Sequence, residues 1–232
     1  VSFEFEPTVG THKVQIGNSK IETVATFDHK PVNISKAKFE THISGTARGS
    51  KFDVDKRKNK FKITATGTDF YHAEDSYAST FIENVTGNFV ATVKATAFGR
   101  RTHEWFRAGL FARNAIDKSF DTEPGSKGSV LMFTSPSRAG INWDEFGDGC
   151  MHKAKSENLP VIAQYPIWIK MVRRGDSFSG YISLDGENWI IERHTNDVPG
   201  IQKSIDLGLA AGSCDEKPYW VEFQDFELSI EE

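Results

Sequence analysis

Two arginines bracket the segment Arg107-Ala108-Gly109-Leu110-Phe111-Ala112-Arg113. Side chains in a strand alternate between its faces, so Arg107, Gly109, Phe111 and Arg113 share one face, while Ala108, Leu110 and Ala112 share the other. Leu110 between two alanines suits a packed interior, which turns Arg113 toward a groove or solvent. A guanidinium there offers a rigid fork of donors to sugar hydroxyls or to a uronate carboxylate. An ion pair with a neighbouring acid is the equal alternative for both arginines. Trp105, in the connection just before, can stack on the apolar face of a pyranose or pack beneath its own loop. Asn142-Trp143-Asp144-Glu145 joins a ring to acids, with Trp143 and Glu145 on one strand face. Tyr71 and His72, in the stretch 69–75, are candidates to border the same groove. For these last four residues, ordinary surface or edge packing is the alternative.

Catalysis finds less support in the same residues. Glycoside hydrolysis usually needs two carboxylates facing each other roughly 5–10 Å apart, whereas Asp144 and Glu145 are adjacent and point to opposite faces. Tyr71, His72, Arg107 and Arg113 supply the residue types of a lyase base and uronate neutraliser, but no spacing joins them. The chain has no G-x-S-x-G, H-E-x-x-H or P-loop. Its seven histidines show no metal-ligand spacing.

The elements that must hold these side chains read as strands. WIKMVRRGDSFSGYISLDGENW, residues 168–189, predicts two antiparallel strands joined at Arg174-Gly175-Asp176, with a second turn at Asp185-Gly186 and Trp189 on the returning strand. An Asp-Gly turn between alternating residues is a strong hairpin signal. Trp168 and Trp189 are expected to anchor this hairpin in the core. Further strands are expected at 1–6, 12–16, 21–27, 60–67, 78–85, 89–98, 107–115, 129–135, 140–146, 166–174, 177–184, 188–195, 205–213 and 220–231, with the first and last paired. Only 81–85 and 200–204 suggest a helical turn. A dozen or more short strands with regular turns indicate an all-β, two-sheet antiparallel jelly-roll β-sandwich.

The 232 residues suit one such domain. Residues 1–50, looser and more basic, read as a leading edge strand plus a long loop or as the remnant of an upstream domain, so that 1–59 is a leading extension to a recognisable core over 60–230. A net charge of −4 argues against nucleic acid as partner. No apolar run approaches the ~20 residues of a membrane span, and no signal peptide is legible in these residues. Cys150 and Cys214 permit one disulfide without demanding it. The sequons at Asn33 and Asn84 carry little weight in a Ser/Thr-rich chain.

Phe106-Arg107-Ala108-Gly109-Leu110-Phe111-Ala112-Arg113, after the strand NFVATVKATAF and before SVLMFTS, combines with the Trp168–Trp189 hairpin into a recognisable order. Together with TGTDFYHAEDSYASTFIENVTGNFVATVKA upstream, these segments resemble the concanavalin A-like lectin/glucanase superfamily, in particular the jelly-roll modules appended to bacterial glycoside hydrolases. The resemblance implies two packed sheets, a concave face that binds polysaccharide or glycan, and a place in a larger secreted or cell-surface protein. It also implies a structural Ca2+, for which Asp206, Asp215, Glu216 and Asp225 are hard-oxygen candidates, a charged solvated rim being the alternative. The Glu-x-Asp-x-(x)-Glu run of the catalytic glucanases is missing. The expectation is therefore a non-catalytic carbohydrate-binding module. Arg107 and Arg113 lie on its concave sheet, with Trp105, Trp143, Glu145, Tyr71 and His72 at the rim. A glycoside hydrolase or polysaccharide lyase on the same fold, and a structural or protein-interaction spacer, are the alternatives.

Overall fold

A computed structural model describes residues 14–16, 19–21, 29–69, 71, 75–99, 102–117, 127–136, 138–153 and 165–231. Seventeen strands are seen: β1 (Val14–Ile16), β2 (Ser19–Ile21), β3 (His29–Pro31), β4 (Glu40–Ile43), β5 (Lys51–Asp55), β6 (Lys60–Ala65), β7 (Ala78–Thr86), β8 (Phe89–Phe98), β9 (Arg107–Arg113), β10 (Ser129–Thr134), β11 (Ala139–Trp143), β12 (His152–Lys153), β13 (Ile167–Arg174), β14 (Ser177–Ser183), β15 (Ile190–His194), β16 (Ser204–Gly212) and β17 (Tyr219–Glu231). No helix occurs among the described residues. The helical turn expected at 81–85 lies inside β7, and that at 200–204 is a plain turn running into β16.

The strands form two antiparallel sheets. One has the order β12-β11-β10-β9-β16-β7-β4, the other β15-β14-β13-β8-β17-β6-β5. β1 and β2 pair only with each other, and β3 pairs with the C-terminal half of β17. Residues 40–55 thus supply an edge strand to each sheet. The expected strand at 1–6 lies outside the described residues.

β8 shows why the sheets stack. Its sequence FVATVKATAF alternates, and Phe89, Ala91, Val93 and Ala95 turn inward, fully buried. Leu110 on β9, Met132 on β10, Leu207 and Leu209 on β16, Ile169 and Met171 on β13 and Phe223 on β17 meet them in one continuous core. Burying a Leu, Phe or Met side chain stabilises by about 1.5–3 kcal/mol each, so this alternation fixes register as well as stacking.

The central strands of the seven-stranded sheet behave differently. Every residue of β9, β10 and β11 is buried. The outward side chains Phe111, Leu131 and Phe133 join Tyr77, Phe81, Ile116, Met151 and Ala210 in a second apolar cluster. The open concave face expected from the sequence is therefore filled along these strands.

The β13–β14 hairpin closes as expected, with Arg174 opposite Ser177 and Gly175 at φ 59°. The Asp185-Gly186 turn does not. It is a six-residue connection in which Asp185 accepts hydrogen bonds from the backbone N–H of Glu187 and Asn188, the Asn188 amide and the Ser183 hydroxyl. These bonds hold its carboxyl well below the usual carboxylate range, the Asn188 side chain contributing most. Only Gly186 takes a left-handed backbone, at φ 82°. The loop folds onto the outer face of the eight-stranded sheet, with Gly186 against Trp168 and Trp189 over the Lys170 ammonium at 4.1 Å. Trp168 and Trp189 are half-buried there and lie outside the core they were expected to anchor.

Candidate functional site

Arg113 occupies the end of β9, with Ser129 opposite on β10 and Asp206 opposite on β16. Its side chain is 1% exposed, and one guanidinium nitrogen donates to Asp75 Oδ1 and to the Tyr77 hydroxyl, each at 2.8 Å. Burial works against the charge, but Tyr77 and Asp75 outweigh it and raise the pKa above its ordinary value. Asp206 faces the same way but is committed to the backbone N–H groups of Asn84 and Ile116. Burial raises its pKa against those two bonds. The sequence expectation of an Arg113 open to a groove or solvent is thus corrected in favour of a buried ion pair.

Arg107, at the other end of β9, meets the same fate. It donates to the Asp69 carboxylate and lies 4.8 Å from the Tyr71 ring and 5.7 Å from the Phe133 ring. Both pairs span the same sequence offset, 107 − 69 = 113 − 75 = 38. The connection between β6 and β7 therefore supplies one acid to each end of the arginine face.

Trp143 is 4% exposed and belongs to the inter-sheet core, so its expected rim position is also corrected. It lies opposite Val130, next to Ala112, at the Arg113 end of the sheet. Glu145 is exposed just past it. These residues are remote from Trp105, since six residues of strand separate the two ends of β9 by about 20 Å. His72 lies outside the described residues.

Of the seven predicted residues, Tyr71, Trp105 and Arg107 come together, at the rim where β9 begins. The β8–β9 loop that carries Trp105 is tied down at several points. Gly99 N–H donates to Trp220 O, the Thr102 hydroxyl to Gly99 O, and Phe106 N–H to His103 O. Phe106 is fully buried against Phe98 and Tyr219. The Trp105 N–H donates to His103 Nδ1, and its carbonyl accepts from the Cys214 thiol at 2.8 Å. On this base Trp105 stays 41% exposed. The Arg138 guanidinium lies on it, 3.4 Å from the ring centroid.

Arg138 and Asp69 carry no site expectation from the sequence, and Cys214 only that of a permitted disulfide with Cys150. Their only signal was membership of turns flanking a Trp and an Arg. Arg138 ends a turn closed by Ser135 N–H to Arg138 O (2.7 Å) and Arg138 N–H to the Ser135 hydroxyl (3.2 Å). Burial lowers its pKa and the nearby Arg107 adds to this, with Glu104 acting in opposition. Burial raises the Cys214 thiol well above its ordinary range. Cys150 and Cys214 are both free thiols.

The four calcium candidates do not converge. Asp206 is committed as described, Asp215 accepts from Lys217 and Tyr219, and Asp225 sits in β17 at φ 54°. Among the described residues no three metal-binding side chains cluster. Two surface depressions lie elsewhere. One of about 350 Å³ borders Asp53, Lys62 and Glu222, and one of about 470 Å³ borders Arg173, Lys203 and Glu231. Neither contains a predicted residue.

Solved structures share this architecture. A functionally unknown protein from Saccharomyces cerevisiae superposes with TM-score 0.58 at 14% identity, covering 86% of this chain and 98% of that one. The GH43 protein BlXynB of Bacillus licheniformis gives 0.57 at 12% identity, over 92% of this chain and 41% of that one. A seed lectin of Lotus tetragonolobus gives 0.55 at 8% identity, over 88% and 99%. The fold is the concanavalin A-like jelly roll. At these identities the likeness concerns the fold alone. No protein-family profile matches the sequence, and no curated protein sequence is significantly similar to it.

Proposed function

We propose that the chain binds carbohydrate without chemically altering it, through the loop rim at Trp105 and not along the filled face of the seven-stranded sheet. The observation that carries this reading is the exposed indole, held on a rigid loop with a guanidinium stacked against it. An aromatic platform of this kind suits the apolar face of a pyranose, and Tyr71 and the Arg107–Asp69 pair furnish a pre-ordered floor beside it. The jelly-roll fold shared with a seed lectin and with part of a GH43 protein supports the assignment. Weak monovalent affinity would be raised by tethering within a larger secreted or cell-surface protein.

The test is a glycan array followed by titration of hits with tryptophan fluorescence, with products assayed in parallel. With Trp105 41% exposed, stacking removes up to about 100 Å² from water, about 1–2.5 kcal/mol. Trp105→Ala is therefore expected to weaken binding roughly five- to seventyfold with the melting temperature unchanged. Saturable binding that survives Trp105→Ala unaltered would place the site elsewhere, and release of new reducing ends or unsaturated products would make the protein an enzyme.

A further inference from the structure

The chemistry of the rim is more specific than a stacking platform. Arg138 is half-buried, and its guanidinium lies on the Trp105 ring at 3.4 Å. A guanidinium stacked by its face keeps its N–H donors pointing outward in its own plane. Among the described residues, no hydrogen bond or ion pair is made by any of those donors; the only hydrogen bonds of Arg138 run through its backbone N–H and carbonyl. Arg107 beneath it is already matched by Asp69. The nearby Glu104 is exposed and forms no hydrogen bond with Arg138. The site thus presents one ring-stacked, partly desolvated cation whose donors have no acceptor among the described residues.

A planar fork of this kind matches a carboxylate in two parallel N–H···O bonds, which are roughly twice as strong as neutral ones. A hydroxyl cannot fill both positions at once. We infer that the rim selects saccharides that carry a carboxylate, uronates, and that Arg138 grips that carboxylate edge-on while the sugar ring covers the exposed part of Trp105. The inference rests on the reading of the rim as a saccharide site, and Arg138 is its specificity-determining residue.

The experiment titrates the full chain with trisaccharides of galacturonate, glucuronate and mannuronate, each against its methyl-esterified form, and with a sulfated trisaccharide. At least one free acid is expected to bind tenfold or more tightly than its ester. Arg138→Lys keeps the charge but loses the fork, and is expected to erase at least tenfold of that advantage while leaving ester binding within twofold. Arg138→Gln serves as a second variant, and unchanged far-UV circular dichroism confirms folding. Acid and ester bound equally, by wild type and Arg138→Lys alike, would overturn the carboxylate assignment and leave saccharide binding at the rim intact. Tightest binding of the sulfated sugar would overturn it in favour of an ester anion. If no member of the panel binds, the reading of the rim itself fails and the inference with it.

Discussion

Replacing Asp75 by Asn keeps the shape of the acid and removes only its charge. The consequence is set by Arg113, whose side chain is 1% exposed and whose side-chain partners among the described residues are Asp75 and the Tyr77 hydroxyl. An arginine cannot shed its proton in a protein, so the substitution leaves a full charge buried beside a neutral amide. Breaking one side of a buried pair typically costs 3–5 kcal/mol. In a domain of this length each kcal/mol lowers the melting temperature by about 2–4 °C, so a drop of about 6–20 °C is expected. Removing the other partner, as in Arg113→Met, should be milder, because the orphaned carboxyl can take up a proton and Met fits among Phe111, Leu131 and Met151. Urea unfolding monitored by circular dichroism, at equal m-values, measures both. A cost for Asp75→Asn under about 1 kcal/mol, the range of exposed pairs, would refute the burial argument. So would Arg113→Met proving the more damaging change.

Two further outcomes follow from the same geometry. Burial holds the His42 imidazole below its ordinary pKa of 6.5, Arg113 adding to this while Asp117 and Asp75 oppose it; the folded chain therefore takes up this proton at lower pH than the unfolded one, and the stabilisation, complete above about 6.5, drains away as pH falls toward the folded value. His42→Gln should flatten unfolding free energy between pH 7.5 and 5, only in part because burial also lowers the pKa of His29, and an unchanged slope would contradict the assignment. Gly186→Ala forces a left-handed backbone on alanine and brings its Cβ to 3.0 Å from the Trp168 ring; a loss of about 1–2 kcal/mol is expected, and a neutral result in the same urea assay would show that the loop moves aside freely.

The strands were legible wherever one face is buried and one is wet. The expected ranges 89–98 and 177–184 agree with β8 and β14 to within a residue, because alternation is a direct imprint of one-sided burial. The openness of the arginine face was not legible from period two alone. The tell was Val130–Phe133, VLMF, an unbroken apolar run within β10 that marks a strand covered on both sides. Phe111, between two arginines on the supposed wet face, pointed the same way. Arg138 escaped notice because its partner is 33 residues away, 138 − 105. Only the pairing of Ala108 with Thr134 brings the loop before β9 and the turn after β10 to the same end of the sheet. At Asp185-Gly186 the residue types were read correctly and the geometry was not. The carboxylate of Asp185 recruits its own backbone donors and builds a wider loop than a two-residue turn allows.

Arg107, Arg113 and Arg138 separate by what the rest of the chain brings to them. Arg107 and Arg113 stand on a rigid strand, and the connection between β6 and β7 delivers Asp69 and Asp75 to them at a common offset. Ligands would have to displace an acid that is already desolvated, a competition that a neutral sugar hydroxyl loses, since charge-assisted bonds are the stronger kind. Arg138 stands on a turn that receives a ring and, among the described residues, no acid within bonding distance, Glu104 acting on it only through space. Its charge is oriented without being neutralised, and that combination distinguishes a group held for an incoming partner from one held for the fold. By this reasoning the proposed recognition surface lies off the sheet, where internal acids and aromatic packing close the arginine face, and at the rim, where one loop supplies the indole and the neighbouring turn supplies the cation.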